Sequence, residues 1–277
     1  MTVSATGGWQ RPAVLWAGAL IVAAGGLVLG SRQLLRAQAG AARRVIGKPL
    51  GEDAHRADKV YARKYGDRLE LLLLGDSIAA GLGAARPKHT LGAQLARRLA
   101  RRAERSVRLR TAAQVGAETS MLRAQLAGLP PGYRPDVAVI VVGGNDVTHR
   151  VRTADSRAHL AEAVSALRDL GTEVVVGTCP DLGTLTALPQ PLRSLARIAS
   201  RQLASAQREA TVELGGLAVS LADVVGPFFV SQPDEMFAED RFHPSGAGYK
   251  RTSKAMLPSV LVALGYEQTL PFGHHRS

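Results

Sequence analysis

A run of four leucines, Leu71–Leu74, leads directly into Gly75-Asp76-Ser77 and a series of small residues. A short apolar run followed by a turn signal is typical of a buried strand, and the residues after it are typical of the start of a helix. This pattern places the Ser77 hydroxyl at the carboxyl end of a strand, where open α/β sheets bind their ligands. By itself, the tripeptide is also typical of a helix N-cap at Asp76 or Ser77.

Strand-like and helix-like segments alternate along the rest of the chain. Apolar runs predict five strands, at Leu69–Leu74, Val107–Ala112, Val137–Val142, Glu173–Gly177 and Leu217–Leu221. Helical periodicity predicts five longer helices, at Thr90–Arg105, Thr119–Ala127, Ala158–Leu170, Leu192–Leu214 and Ser245–Leu264. This alternation predicts a three-layer α/β/α sandwich with a five-stranded, mostly parallel sheet, and we expect residues 226–244 to be irregular.

The N-terminal segment differs from the rest. Residues 12–31 carry no charge, and at about 1.5 Å per residue they are long enough to cross a hydrocarbon core of roughly 30 Å. We therefore expect one N-terminal transmembrane helix that anchors the protein in a membrane. A cleaved secretion signal is the alternative, because Ala37-Gln38-Ala39 resembles a cleavage site, but Arg32 and Arg36 precede it. The sequence does not decide on which side of the membrane the rest of the chain lies.

These patterns divide the chain into four parts. We expect an anchor with its basic flank at residues 1–48, a linker at 49–68, the main folded domain at 69–265 and a C-terminal tail at 266–277. Residues 1–51 hold six basic residues and no acidic one, and they supply half of the net charge of +12. The excess positive charge is therefore not a property of the whole domain, and we expect no nucleic-acid partner. The oligomeric state stays open.

Four short segments fall at predicted strand ends or in loops, which such a fold brings together at one edge of the sheet. They are Gly75-Asp76-Ser77, Gly116, Gly143-Gly144-Asn145-Asp146 and Asp240-Arg241-Phe242-His243-Pro244. A serine hydroxyl becomes a nucleophile when an imidazole takes its proton, and a carboxylate fixes the tautomer of that imidazole. Asp240 lies three residues before His243, close enough for its carboxylate to reach Nδ1. Backbone N–H groups and an amide side chain are the donors that a developing oxyanion requires.

Together these motifs resemble the SGNH hydrolase (GDSL esterase/lipase) superfamily. The resemblance rests on Gly75-Asp76-Ser77, Gly143-Gly144-Asn145-Asp146 and Asp240-x-x-His243-Pro244, with Gly116 as a less specific match, and it covers residues 69–264. It implies a flavodoxin-like fold in which Ser77 is the nucleophile, His243 the general acid and base, and Asp240 the orienting carboxylate. It also implies an oxyanion hole formed by Ser77, Gly116 and Asn145. No metal or organic cofactor is implied.

We therefore expect a serine esterase or lipase acting on a small ester or a lipid-like substrate. Three aromatic residues before the Asp–His pair, namely Phe228, Phe229 and Phe237, are candidates for an acyl-binding wall, and core packing is the alternative reading for each. An acyltransferase or a carbohydrate O-deacetylase acting through the same residues is the first alternative function. A non-catalytic, membrane-associated binding protein is the second.

Other chemistries have less support in the sequence. The single cysteine, Cys179, excludes an intramolecular disulfide and argues against a cysteine-based zinc site, and we expect it to be buried. The six histidines other than His243 show no zinc-ligand spacing, and His149 is expected on a surface loop. No Gly-x-Ser-x-Gly motif occurs, which disfavours the α/β-hydrolase form of the same chemistry.

Overall fold

The computed structural model describes residues 30–42, 44, 47, 50–51 and 53–277. Within these residues, seven strands form one sheet: β1 (Val60–Tyr61), β2 (Arg68–Gly75), β3 (Ser106–Thr111), β4 (Val137–Val141), β5 (Glu173–Gly177), β6 (Leu217–Val219) and β7 (His274–His275). The helices after β1 are α1 (Ser77–Ala80), α2 (Leu91–Ala103), α3 (Leu122–Ala127), α4 (Gly144–His149), α5 (Thr153–Asp169), α6 (Leu192–Glu213), α7 (Leu221–Val224), α8 (Gly226–Ser231), α9 (Pro233–Met236) and α10 (Gly246–Ala263).

The strand order is β1-β3-β2-β4-β5-β6-β7, and the five central strands are all parallel. This agrees with the predicted parallel sheet, but the predicted number of five strands is wrong. Two-residue strands β1 and β7 extend the sheet antiparallel at its two edges. They lie in the segments expected to be a linker and a tail. Strands this short carry no hydrophobic periodicity, so the sequence pattern does not reveal them.

Alternate side chains of the central strands point to opposite faces of the sheet, and each face is covered by helices. Leu71 and Leu73 join one apolar cluster together with buried residues of α2 and α10. Leu72 and Leu74 join a second cluster with buried residues of α3 and α5. Burial on both faces explains why β2 and β4 are continuous apolar runs instead of alternating ones.

The order of the strands determines where a site can form. The chain moves outward from β2 to β3, and then returns to pair β4 with the other side of β2. The carboxyl ends of β2 and β4 are therefore the switch point of the topology, where a crevice opens between loops that leave in opposite directions. Ser77 follows β2 and Asn145 follows β4.

The predicted membrane anchor requires a correction. Of the expected span at 12–31, only residues 30 and 31 lie within the described residues. The structure places residues 30–42 in a helix that includes Arg32 and Arg36. Among the described residues, no helix is both long and apolar enough to cross a membrane. This finding contradicts the predicted anchor and the membrane localisation derived from it, and no localisation is assigned in its place.

Candidate active site

The turn that carries Ser77 depends on a glycine. Gly75 ends β2 with φ 127°, and a Cβ at this position would lie 1.9 Å from the carbonyl oxygen of Val141 on the neighbouring strand. The next residue, Asp76, caps α1, because its carboxylate accepts a hydrogen bond from the N–H of Ile78 at 2.9 Å. Ser77 is then the first residue of α1 and is 6% exposed.

His243 contacts the Ser77 hydroxyl from a loop that follows α9. Its Nε2 lies 2.9 Å from Oγ of Ser77, and its Nδ1 lies 2.5 Å from Oδ2 of Asp240. The other carboxylate oxygen of Asp240 accepts hydrogen bonds from the backbone N–H groups of Phe242 and His243, both at 3.0 Å. Burial opposes ionisation of Asp240, but these hydrogen bonds from His243 and Phe242 outweigh it, so the pKa of Asp240 is lowered. A negative carboxylate thus faces Nδ1.

The second carboxyl near His243 has a different environment. Asp76 is 2% exposed, and burial raises its pKa to about 6, against the lowering effects of the Ile78 N–H and of His243. Its carboxylate is committed to the helix cap, whereas that of Asp240 is bonded to the imidazole. The structure therefore pairs His243 with Asp240.

Three groups were predicted to donate hydrogen bonds to an oxyanion. Within the part of the chain that the structure describes, the backbone N–H groups of Ser77 and Gly116 have no acceptor. The side-chain amide of Asn145 donates one hydrogen bond to the carbonyl of Ala117 at 2.9 Å, which leaves its second N–H available. Gly116 is exposed and has φ 81°. Asn145 lines the same cleft as Ser77 and His243, whereas Gly116 does not line it.

An apolar cleft extends from Ser77 and His243. It has a cavity volume of ≈ 70 Å³. Its apolar walls are formed by side chains from four regions: Ile78, Leu182, Leu185, Leu221, Val225, Phe229, Phe237 and Phe242. Phe229 and Phe237 pack edge to face, with ring centroids 4.7 Å apart.

The three predicted phenylalanines do not share one environment. Phe229 and Phe237 line the cleft and are each 8% exposed. Phe228 does not line it, and its ring lies 4.2 Å from the guanidinium carbon of Arg251. Residues 226–231 and 233–236, which were expected to be irregular, form helices α8 and α9. Because neighbouring residues of a helix point in different directions, Phe228 and Phe229 have different surroundings.

Several residues that support the site were not identified from the sequence. The side chain of Gln125 accepts a hydrogen bond from the N–H of Gly75 and donates one to its carbonyl, at 2.9 and 2.8 Å. Gln207 bonds both the N–H of Cys179 and the carbonyl of Val142 at the ends of β5 and β4. No sequence signal marks either glutamine, because both contacts join segments that are far apart in the chain.

The remaining candidates have ordinary structural roles. Cys179 is fully buried, and burial raises the pKa of its thiol well above the usual value. His149 is exposed and pairs with Glu118 at 2.7 Å. Among the described residues, no group of three His, Cys, Asp or Glu side chains is placed to hold a metal ion.

With this geometry established, comparison with known proteins identifies the family. A sequence profile of the GDSL-like lipase/acylhydrolase family matches residues 73–251. The chain belongs to this family. It is also 39% identical over 270 residues to the GDSL-like esterase Rv1075c of Mycobacterium tuberculosis, covering 94% of this chain and 85% of the relative. The resemblance to SGNH hydrolases predicted from the motifs is therefore confirmed, and the protein is a carboxylic ester hydrolase.

Solved structures show the same fold at lower identity. LAE5, an α/β hydrolase enzyme from the metagenome of Lake Arreo in Spain, aligns with a TM-score of 0.56 at 20% identity, covering 74% of this chain and 99% of its own. A variant of Axe2, an acetyl-xylooligosaccharide esterase from Geobacillus, aligns with a TM-score of 0.54 at 21% identity, covering 75% and 99%. Membership of an esterase family sets aside the non-catalytic binding protein considered from the sequence.

Proposed function

We propose that this GDSL-type esterase cleaves carboxylic esters through an acyl-enzyme formed on Ser77. The observation that carries the proposal is the continuous line of contacts from Ser77 Oγ to His243 Nε2 at 2.9 Å and from His243 Nδ1 to Asp240 at 2.5 Å. The order matches the chemical need, because the base contacts the nucleophile and the carboxylate holds the base in one tautomer.

The reaction would proceed in two steps. Oγ of Ser77 attacks the ester carbonyl carbon while its proton passes to Nε2 of His243. The tetrahedral intermediate then collapses, the carbon–oxygen bond to the alcohol breaks, and the same proton passes to the departing alkoxide. A water molecule repeats the sequence on the acyl-enzyme, releases the carboxylic acid and restores Ser77.

We assign the oxyanion to the N–H groups of Ser77, Gly116 and Asn145. The support is that the two backbone N–H groups have no acceptor among the described residues, and that Asn145 retains one N–H beyond its bond to Ala117. Each donor of this kind contributes about 3–4 kcal/mol to stabilising the transition state in serine hydrolases.

The apolar cleft is proposed as the acyl-binding site. Phe229 and Phe237 form part of its wall, and its cavity volume is ≈ 70 Å³. That size fits a short acyl chain of a few carbons. The buried position of the lining side chains fits an apolar acyl group better than a charged one.

The experiment is ester turnover by wild-type protein and by Ser77→Ala, with p-nitrophenyl esters from acetate to decanoate. Ser205→Ala is the matched control, because Ser205 bonds Glu209 on the surface of α6. We expect Ser77→Ala to lose at least about 10³-fold in kcat with unchanged circular dichroism, and Ser205→Ala to retain wild-type kcat. Retention of wild-type turnover by folded Ser77→Ala contradicts the proposal.

A further inference from the structure

Asp146 is a buried carboxylate that the mechanism above does not use. It follows Asn145 on α4 and is 1% exposed. Its Oδ2 accepts a hydrogen bond from the backbone N–H of Thr119 at 3.0 Å, and its Oδ1 accepts one from the Ser156 hydroxyl at 2.6 Å. A buried carboxylate with two directed bonds fixes the position of both partners, because breaking either bond leaves charge or a donor unsatisfied.

The loop that Asp146 bonds is the one that carries Gly116. One side of this loop is held to β2, where the N–H of Gln114 donates to the carbonyl of Gly75 at 3.1 Å. The other side is held by α4, through the bond of Asn145 to Ala117 and that of Asp146 to Thr119. Gly116 itself is exposed, and among the described residues no atom beyond its chain neighbours lies within 4 Å of the place where a Cβ would be. Packing at Gly116 therefore does not fix its position.

We infer that Asp146 is a positioning residue, which holds the Gly116 N–H in place for the oxyanion through the backbone of Thr119. The inference rests on the proposed function, since it assigns Gly116 to the oxyanion hole. Adjacent residues of α4 thereby have different tasks: Asn145 supplies a donor, and Asp146 fixes the loop that supplies another. Ser156, on α5, holds the carboxylate in the orientation that faces Thr119.

The geometry distinguishes this role from general support of the fold. Loss of the Thr119 bond would let Gly116 move relative to Ser77, while Ser77, His243 and Asp240 keep their own contacts. The effect should therefore be on stabilisation of charge in the transition state, with little effect on binding of the uncharged ester. An oxyanion donor that is lost outright costs about 10²–10³-fold in kcat, so a displaced one should cost less.

The test compares Asp146→Ala and Asp146→Asn in the full chain. We expect Asp146→Ala to lower kcat by about 10–100-fold, with KM within about threefold, and to weaken binding of an alkyl boronic acid, which forms an anionic adduct with the serine, by the same factor. Asp146→Asn keeps an oxygen that accepts from Thr119 and an amide that donates to Ser156, so it should stay within about threefold of wild type.

Two further variants complete the test. Thr119→Pro removes the donor N–H at the first position of a helical turn, where proline is tolerated, and should reproduce the loss in kcat without any change to Asp146. Thr172→Val removes a buried hydrogen bond to Pro135 at the amino ends of β5 and β4, away from Ser77, and should lower stability but leave kcat unchanged.

The inference is overturned if Thr119→Pro retains wild-type kcat and boronate affinity. It is also overturned if Asp146→Ala is folded and its kcat falls no more than that of Thr172→Val. If Asp146→Ala does not fold, Thr119→Pro decides alone. Failure of the proposed function is a separate result, since wild-type protein would then show no turnover that depends on Ser77.

Discussion

Nε2 of His243 lies 2.9 Å from Oγ of Ser77, although 166 positions separate the two residues in the chain. Two hydrogen bonds hold in place the chain segments that carry these residues. The Tyr249 hydroxyl, fully buried on α10, donates to the carbonyl of Leu82 at 2.5 Å, and the N–H of Ala238 donates to the carbonyl of His243 at 2.8 Å. The distance between base and hydroxyl is therefore set by the fold around them.

Asp240→Asn should reduce kcat for p-nitrophenyl acetate by roughly 10³–10⁴-fold. The amide of asparagine would donate to Nδ1 of His243, which leaves the proton on Nε2, where it cannot accept from Ser77. The thermal midpoint should fall by only a few degrees, since the oxygen of the amide still accepts from the N–H groups of Phe242 and His243. A kcat within tenfold of wild type would assign the orienting role to another group.

Asp76→Asn should change how stability depends on pH. The pKa of Asp76 is raised to about 6 in the folded protein, above the unfolded value of 3.8, so the cost of burying its charge is fully present above pH 6 and absent below about pH 4. The free energy of unfolding of wild type, relative to Asp76→Asn, should therefore rise by about 2 kcal/mol as the pH falls from 7 to 4. Urea unfolding at both pH values measures this difference, and a constant difference would show that Asp76 titrates normally.

Phe229→Ala should shift the preferred acyl chain toward longer esters. Removal of a ring from the cleft wall enlarges the cavity beside Phe237, so octanoate should gain relative to acetate in kcat/KM by about tenfold, the value of roughly two buried methylene groups. Phe228→Ala is the matched control, because that ring lies against Arg251 outside the cleft. Equal shifts in both variants would mean that the cleft does not bind the acyl group.

Gly75→Ala should prevent folding into the native structure. The added Cβ would lie 1.9 Å from the carbonyl oxygen of Val141, in the middle of the sheet, at a φ of 127°. Gly215→Ala is the control, with φ 73° but, among the described residues, no atom beyond the chain neighbours within 4 Å of the added Cβ, and it should cost only about 1 kcal/mol. The free energy of unfolding of the two variants, or soluble yield where Gly75→Ala does not fold, makes the comparison. A Gly75→Ala protein as stable as Gly215→Ala would contradict the close approach of β2 and β4.

The sequence predicted the elements that have strong periodicity. The five parallel strands and the long helices α2, α5, α6 and α10 lie close to their predicted ranges, because each buries an apolar face of the expected period. The edge strands β1 and β7 and the short helices α7, α8 and α9 were missed, since two to six residues carry no readable period. The predicted membrane anchor is contradicted by the absence, among the described residues, of a helix that is both long and apolar enough to cross a membrane.

In the candidate site, too, local sequence patterns predicted some residues and did not reveal others. Ser77, Asn145, Asp240 and His243 were identifiable because each sits in a short motif. Gln125 and Gln207, and also Asp146 within the Asn145 motif, act through bonds to backbone groups between 27 and 65 positions away, and no local pattern marks such contacts. The orientation of helix α8 determines that Phe229 faces the cleft and Phe228 does not. A pattern of six residues is too short to predict that orientation.

We propose that Ser77 becomes covalently acylated, with His243 as its base. The direct measurement is intact-protein mass spectrometry after treatment with an alkyl fluorophosphonate, followed by peptide mapping. We expect a single phosphonyl adduct on the peptide that contains Ser77, and its formation should be slower by at least about 10³-fold in folded His243→Ala. An adduct on another residue, or labelling of Ser77 at the wild-type rate in His243→Ala, would contradict it.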